Sequence, residues 1–278
     1  MRIGRYTLEQ SPSPGWTPPL VRPRISQAAT VGGARVTVLP GHISDEDIRV
    51  PFDWLDASPA RALLQSDASQ GADGDSIGPG ERMGMFVPST SFAAVSAARI
   101  SLRASPALQG YLTLELWCDS PRERTGLIGV IMPADLSAAY QTITRWSLTA
   151  WPVGGGAGST QSWLVVNGDH MTGGVVYWQG ETTTPNGHVH YTSPDWITEP
   201  GRLWHEVYQG GQYCILRGLV EDEAAVPASY DIDFGWGGNL YVARLAGLSG
   251  EVHLNPQSYD EPGLVRDAEL GLIIESAK

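Results

Sequence analysis

The sequence predicts an all-β protein: an antiparallel two-sheet sandwich preceded by a small β-rich N-terminal module with one short helix. Three observations carry this. From Gly201 to Leu254 apolar residues alternate in short runs separated by glycine turns, the pattern of strands with one buried face. The segment Leu112-Thr113-Leu114-Glu115-Leu116-Trp117-Cys118 repeats with a period of two. Helix-period patterns are scarce throughout.

Taken in order, the first 40 residues are rich in proline and glycine and read as an extended arm with a short strand at Ala34–Leu39. Ile48 to Trp54 reads as a strand that tolerates Pro51 only at an edge or a bulge. Ser58-Pro59 opens Ala-Arg-Ala-Leu-Leu-Gln, the one predicted helix, with Ser58 as N-cap and Pro59 at the first position. Residues 66–81 are a loop by composition, followed by strands at Met83–Val87 and Ala98–Leu102. This divides the chain into an assembly or anchoring module over 1–90 and a sandwich over 91–278.

Within the sandwich, a glycine-rich loop at 154–159 separates strands at Trp146–Trp151 and Ser162–Val166. A hairpin is expected from Gly174–Trp178 to His188–Tyr191, with Asn186-Gly187 as turn residues. Further strands are expected at Trp204–Val207, Gln212–Gly218, Leu240–Arg244, Gly250–Leu254 and Glu269–Ile274.

The last four before the tail, in the order Trp-His-Glu-Val, a strand ending in Gly, Leu-Tyr-Val-Ala-Arg and Gly-Glu-Val-His-Leu, resemble consecutive strands of a laminin-G-like jelly roll, whose first of these reads Trp-His-Val. Ser105-Pro106-Ala107-Leu108 followed by Leu-Thr-Leu-Glu-Leu-Trp is similar to that family's opening. The resemblance spans about residues 98–265 and implies a jelly-roll sandwich that binds glycans or proteins, commonly with calcium at its rim. The strand-then-helix step near residue 58 loosely resembles N-terminal modules of bacteriophage tail proteins.

A formal charge of −12 and a pI near 4.8 argue against binding nucleic acid, whose phosphates call for a basic stripe. Lys278 is the single lysine against 17 arginines, which we read as the mark of a GC-rich coding genome. The N-terminus has no apolar stretch of signal-peptide length, and no window suits membrane insertion. Two cysteines make no disulfide framework. The period of two puts Cys118 with Leu112, Leu114 and Leu116, and Cys214 with Leu216, so both are expected to be buried free thiols.

The candidate ligand-binding residues are Tyr177, Trp178, His188, His190 and Trp236. Exposed indoles stack on sugar faces while polar neighbours fix the hydroxyls. Adjacent Tyr177 and Trp178 must split across their sheet, and Trp178 and Trp236, beside glycine-rich turns, are the indoles expected to be least buried. His188 and His190 share a strand face, where Asp169, Glu181 or an approaching His170 completes a metal set in one reading; a half-exposed polar face is the other. Asp231 and Asp233 are the calcium ligands if calcium binds, with Asp169 and the acidic run Glu221-Asp222-Glu223 as further carboxylates. Asp231-Ile232-Asp233 also matches part of a jelly-roll glycosidase signature whose final glutamate is missing here.

No catalytic residues are assigned. The expected function is a non-enzymatic structural and binding protein of a phage virion, a minor tail or tail-tip component. Its partners are other tail proteins, further copies of itself and a host-surface glycan. The alternative is a glycan-active enzyme or a cytoplasmic carbohydrate-binding protein.

Overall fold

The computed structural model describes residues 1–4, 6–18, 26–29, 35–38, 46–58, 61–65, 72–88, 94–118, 123–153, 161–181, 187–192, 195–225, 229–235, 240–255 and 258–277. These residues form antiparallel sheets and one α-helix, the all-β fold expected. The chain divides into two compact units: Met1–Ala57 with Leu216–Lys278, and Ser58–Ile215. The second interrupts the first in sequence.

The discontinuous unit begins with β1 (Arg2–Ile3), β2 (Tyr6–Thr7), β3 (Ser26–Ala29), β4 (Arg35–Val38) and β5 (Glu46–Asp56). The continuous unit contributes β6 (Arg61–Gln65), β7 (Ala72–Ile77), β8 (Arg82–Pro88), β9 (Ala94–Ala104), β10 (Gln109–Gly110), β11 (Leu112–Cys118) and β12 (Glu123–Ile131). It continues with β13 (Gln141–Pro152), β14 (Gln161–Asn167), β15 (Met171–Gly173), β16 (Val176–Glu181), β17 (His188–Thr192), β18 (Asp195–Glu199), β19 (Arg202–Leu203) and β20 (His205–Gln209). Helix α1 (Gln212–Ala225), β21 (Tyr230–Asp233), β22 (Leu240–Asn255) and β23 (Ser258–Ala277) complete the chain.

In the discontinuous unit six strands run in the order β2-β1-β21-β22-β23-β5. Pro51 has no N–H to give a ladder, and it sits on β5, an edge strand of this sheet. The start of the arm is built into the chain's own sheet: Ile3 is fully buried and pairs with Ile232. Trp16 packs edge-on against Phe234 and donates its indole N–H to Arg49 O at 3.1 Å.

The continuous unit is sandwich-like. One sheet runs β12-β11-β14-β8-β17-β18; the other runs β19-β16-β9-β20-β6, with β13 also on β9 and β7 also on β16. A single apolar cluster draws Met83, Met85, Leu112, Leu114, Leu116, Leu164 and Val166 from the first sheet and Ala98, Ile100, Leu102, Val176, Trp178 and Val207 from the second. The period of two in β11 is thus used as read. Each buried leucine contributes about 1.5–3 kcal/mol.

The turn expected at Ser105–Leu108 is present, with Leu108 N–H bonded to Ser105 O at 3.1 Å. Just after it Gly110 has φ +83°, and a Cβ there would collide with the His170 carbonyl. A side chain at this position would therefore separate β10 from β15, the pair it belongs to.

Five sequence expectations are corrected. Arg61–Gln65 is not a helix but a strand paired with β20; the Ser-Pro start signal is local, and tertiary pairing overrides it. Gln212–Gly218 is not a strand but the start of α1. Its buried Tyr213, Leu216 and Leu219 recur every three residues, while Cys214 and Leu216 alone fit a period of two, so a short apolar run satisfies both templates. Glu221 lies on this helix and pairs with Arg217 at i,i+4. Residues 72–77, expected as loop, form β7 against β16. The expected hairpin does not form: Val176–Glu181 and His188–Thr192 belong to different sheets. Finally, Leu240–Arg244 and Gly250–Leu254 lie on one long strand, β22, which pairs with β21 and β23 in the discontinuous unit.

Both cysteines are free and buried, as the sequence implies, although Cys214 reaches burial on a helix. Thiol reagents are expected to label the native protein slowly and the denatured protein rapidly without prior reduction. Fast native labelling would show that these side chains are accessible.

Candidate functional site

Alternation along β11 puts Leu112, Leu114 and Leu116 in the core, so Thr113, Glu115 and Trp117 point out of the opposite face. Register carries that face across the sheet. One row runs Arg124, Trp117, Trp163, Phe86; the next runs Leu127, Glu115, Val165, Gly84, Val189, Thr198; the third runs Val130, Thr113, Asn167, Arg82, Tyr191, Trp196. Three indoles, a phenol and a phenyl ring from five strands thus meet on one surface. None of the five neighbours another in sequence.

The geometry shows how this face is shaped. Strands β11 and β18 are four spacings apart, about 19 Å at the usual interstrand distance, yet the Trp117 and Trp196 rings are 6.0 Å apart edge to face. Two side chains leaning together cover only about half of that span, so the sheet curls and the face is concave. Arg82 lies between them, with its guanidinium 5.3 Å from the Trp117 ring and 4.7 Å from Tyr191. Asp169 holds it there through contacts of 3.1 and 2.5 Å. Tyr191 in turn packs on Trp196 and Phe86 on Trp163. Gly84 leaves room for this: a Cβ would press on Val165 and Val189 at 3.1 and 3.2 Å.

Beneath the rings is a carboxylate. Glu115 is 1% exposed and accepts hydrogen bonds from Thr113 Oγ1 and Trp117 Nε1, both at 2.7 Å. Asn167 Nδ2 and Arg124 Nη1 each approach it at 3.4 Å. A buried carboxylate persists only when its acceptor sites are filled, and here the filling also fixes the Trp117 indole. Phe86, Leu127 and Val130 remain exposed, leaving an apolar rim with the Arg82 guanidinium beside it.

The residues nominated from sequence are distributed elsewhere. Tyr177 and Trp178 do split across their sheet. Tyr177 lies under the Arg103 guanidinium at 3.9 Å. Trp178, expected to be among the least buried, is fully buried and donates its indole N–H to Trp204 O at 2.8 Å; its strand β16 lies between β7 and β9, so its inner face is core. Trp236 lies outside the described residues. Asp231 and Asp233 are on β21, where Asp233 Oδ1 accepts the Gly235 N–H at 2.7 Å and closes a turn.

His188 and His190 share a face as spaced, but it is the inner one: both are buried, so the half-exposed face is corrected. They meet Asp75 of the facing sheet, His188 Nε2 at 3.1 Å and His190 Nδ1 at 3.4 Å from Oδ2. His190 Nε2 lies 3.7 Å from Glu81 Oε2. Burial alone would raise the Asp75 carboxyl, but hydrogen bonds from His188, His190 and the Ser76 N–H outweigh it and hold it well below the usual carboxylate range. The hydrogen bond with Asp75 raises His190 above its ordinary 6.5, against desolvation, with Asp75, Glu81 and Glu199 adding their negative potential.

The partners suggested for a metal set are engaged otherwise: His170 stacks on Tyr111, and Asp169 holds Arg82. Among the described residues no group of three or more His, Cys, Asp or Glu side chains is arranged to hold a metal ion. His205 is buried and neutral-favouring, its basicity lowered by desolvation against a hydrogen bond of Nδ1 to Leu203 O. The carbonyl it meets lies on the preceding strand, β19.

The concave aromatic face was not legible strand by strand, because Trp117, Trp163, Phe86, Tyr191 and Trp196 become neighbours only through register. The available signal was alternation in β11: an inward leucine series obliges Glu115 and Trp117 to share the other side. No family model, no curated protein and no solved structure matches the chain, so the functional reading rests on the residues themselves.

Proposed function

We propose that this chain is a non-enzymatic structural and binding protein of a bacteriophage virion, a tail or tail-tip component, and that its continuous unit binds a glycan on the concave aromatic face. The observation that carries the binding reading is the curled sheet face with Trp163, Phe86, Tyr191 and Trp196 around Arg82. Sugar rings present apolar C–H faces to aromatic rings and hydroxyls to planar donors, so this mixture suits a glycan better than a wholly apolar ligand. The chain's layout supports the assembly reading. The first and last strands close one unit, and the sandwich is spliced into it between β5 and β21, so the recognition surface can vary without altering a platform.

The test has two arms. Mass spectrometry of purified virions is expected to find the chain in the particle, and absence there would remove the virion assignment. A panel of host-envelope polysaccharides is expected to include one that binds the purified chain, with Phe86→Ala and Trp196→Ala each weakening binding by about 1–3 kcal/mol. Binding untouched by both substitutions would place the site elsewhere, and turnover of the polysaccharide would favour the glycan-active enzyme.

A further inference from the structure

The glycan face leaves unused the buried cluster on the opposite side of β17. We propose that Asp75, Glu81, His188 and His190 form a latch between the two sheets of the sandwich, closed when His190 is protonated and loosened when it loses its proton. The two carboxylates come from β7 and the turn into β8, and the two histidines from β17. Strand β17 is held on one side by β8 over only His188–Tyr191, and on the other carries β18, the edge of its sheet. The cluster therefore ties a sheet edge to a strand of the facing sheet.

Hydrogen-bond inventory gives the direction. His188 Nδ1 faces the Gly201 carbonyl at 3.3 Å and Nε2 faces Asp75 Oδ2 at 3.1 Å. His190 Nδ1 faces Asp75 Oδ2 at 3.4 Å, while its Nε2 stands 3.7 Å from Glu81 Oε2, beyond hydrogen-bond reach and without a hydrogen-bond partner among the described residues. All of these oxygens accept only, when the carboxyls are ionised, and a neutral imidazole has one N–H. His190 therefore answers both carboxylates only as the two-proton cation; neutral, it leaves them without that positive charge, with Glu199 adding a third negative one. Beyond Gly201 the neighbouring charged residues are Arg202 and, opposite it in register, Glu181.

His190 is raised in the folded state, so its stabilisation is complete below the ordinary imidazole value of 6.5 and is lost as pH rises through the raised one. Asp75 is depressed, so its share is present above the ordinary carboxylate value of 3.8 and is lost only as pH falls far below it. The latch is tightest in mildly acidic solution.

Hydrogen exchange of the full chain, corrected for intrinsic rates, tests this at about pH 6 and about pH 8. Protection in β17 and β18 is expected to fall severalfold across that interval, while β11 changes little. His190→Gln and Asp75→Asn are each expected to abolish the difference. Equal protection at both pH values, or the same response retained in His190→Gln, overturns the latch. Should those variants fail to fold, Glu81→Gln is the substitute: it is expected to move the midpoint of loosening to lower pH, and an unmoved midpoint overturns the proposal equally.

Discussion

Trp178→Ala is expected to cost the continuous unit about 3–5 kcal/mol through the lost side-chain volume. A further contribution arises because the Trp204 carbonyl, which accepts the indole N–H at 2.8 Å, loses that donor. Against a net stability of about 5–15 kcal/mol for a domain, this is a large fraction. Thermal unfolding should shift down by roughly 8–16 °C for a unit of this size. Trp178→Phe keeps most of the volume and loses only the donor, so it should cost about 1–2 kcal/mol. Calorimetry on the three proteins checks both the size and the order. A Trp178→Ala protein of unchanged stability would mean that this indole is not part of the core.

The second large effect is expected at Glu115. Its carboxylate is the acceptor for the Trp117 indole and the Thr113 hydroxyl, both at 2.7 Å, and Glu115→Ala leaves a buried N–H unpaired. Hydrogen bonds to a charged acceptor are worth about 1.5–3 kcal/mol each, so losing both is expected to cost about 3–6 kcal/mol. Arg124, whose side chain is 58% exposed, recovers its solvation and adds little. Glu115→Gln retains one acceptor oxygen and should lose about half as much. Chemical denaturation measures the stability, and near-ultraviolet circular dichroism should register the freed Trp117 ring. An unaltered spectrum in Glu115→Ala would show that the carboxylate does not position the indole.

What was legible in the sequence depended on how local its cause was. The inward leucines of β11, the edge placement forced by Pro51, the strand at His205 and the buried thiols follow from alternation or from proline's missing donor, and each reads from a few neighbouring residues. The helix at Gln212–Ala225 did not, because Cys214 and Leu216 fit a strand while Tyr213, Leu216 and Leu219 fit a helix, and only packing decides. Trp178 was misjudged for a related reason: a glycine nearby says that a turn is near, not which side of the sheet is core. The aromatic face is the least local feature of all. Trp117, Trp163, Phe86, Tyr191 and Trp196 are drawn together by five strands, and nothing in any one strand announces the other four.

The pairing of β5 with β23 sets the order in which the protein can mature. Ile48 lies opposite Leu272 and Leu55 opposite Val265, so roughly 200 residues of intervening chain must leave the ribosome before that ladder begins. Residues 58–215 face no such delay, since every strand partner of that unit lies within it. A nascent chain would thus carry a complete continuous unit while β1 and β5 still wait for their partners. The loop-closure entropy of the waiting unit grows only logarithmically with separation, and once the sandwich has condensed much of that loop is already ordered. Synthesis itself then times completion: the continuous unit can close first, and the sheet that joins β1 and β5 to β21, β22 and β23 closes only after β23 has been made.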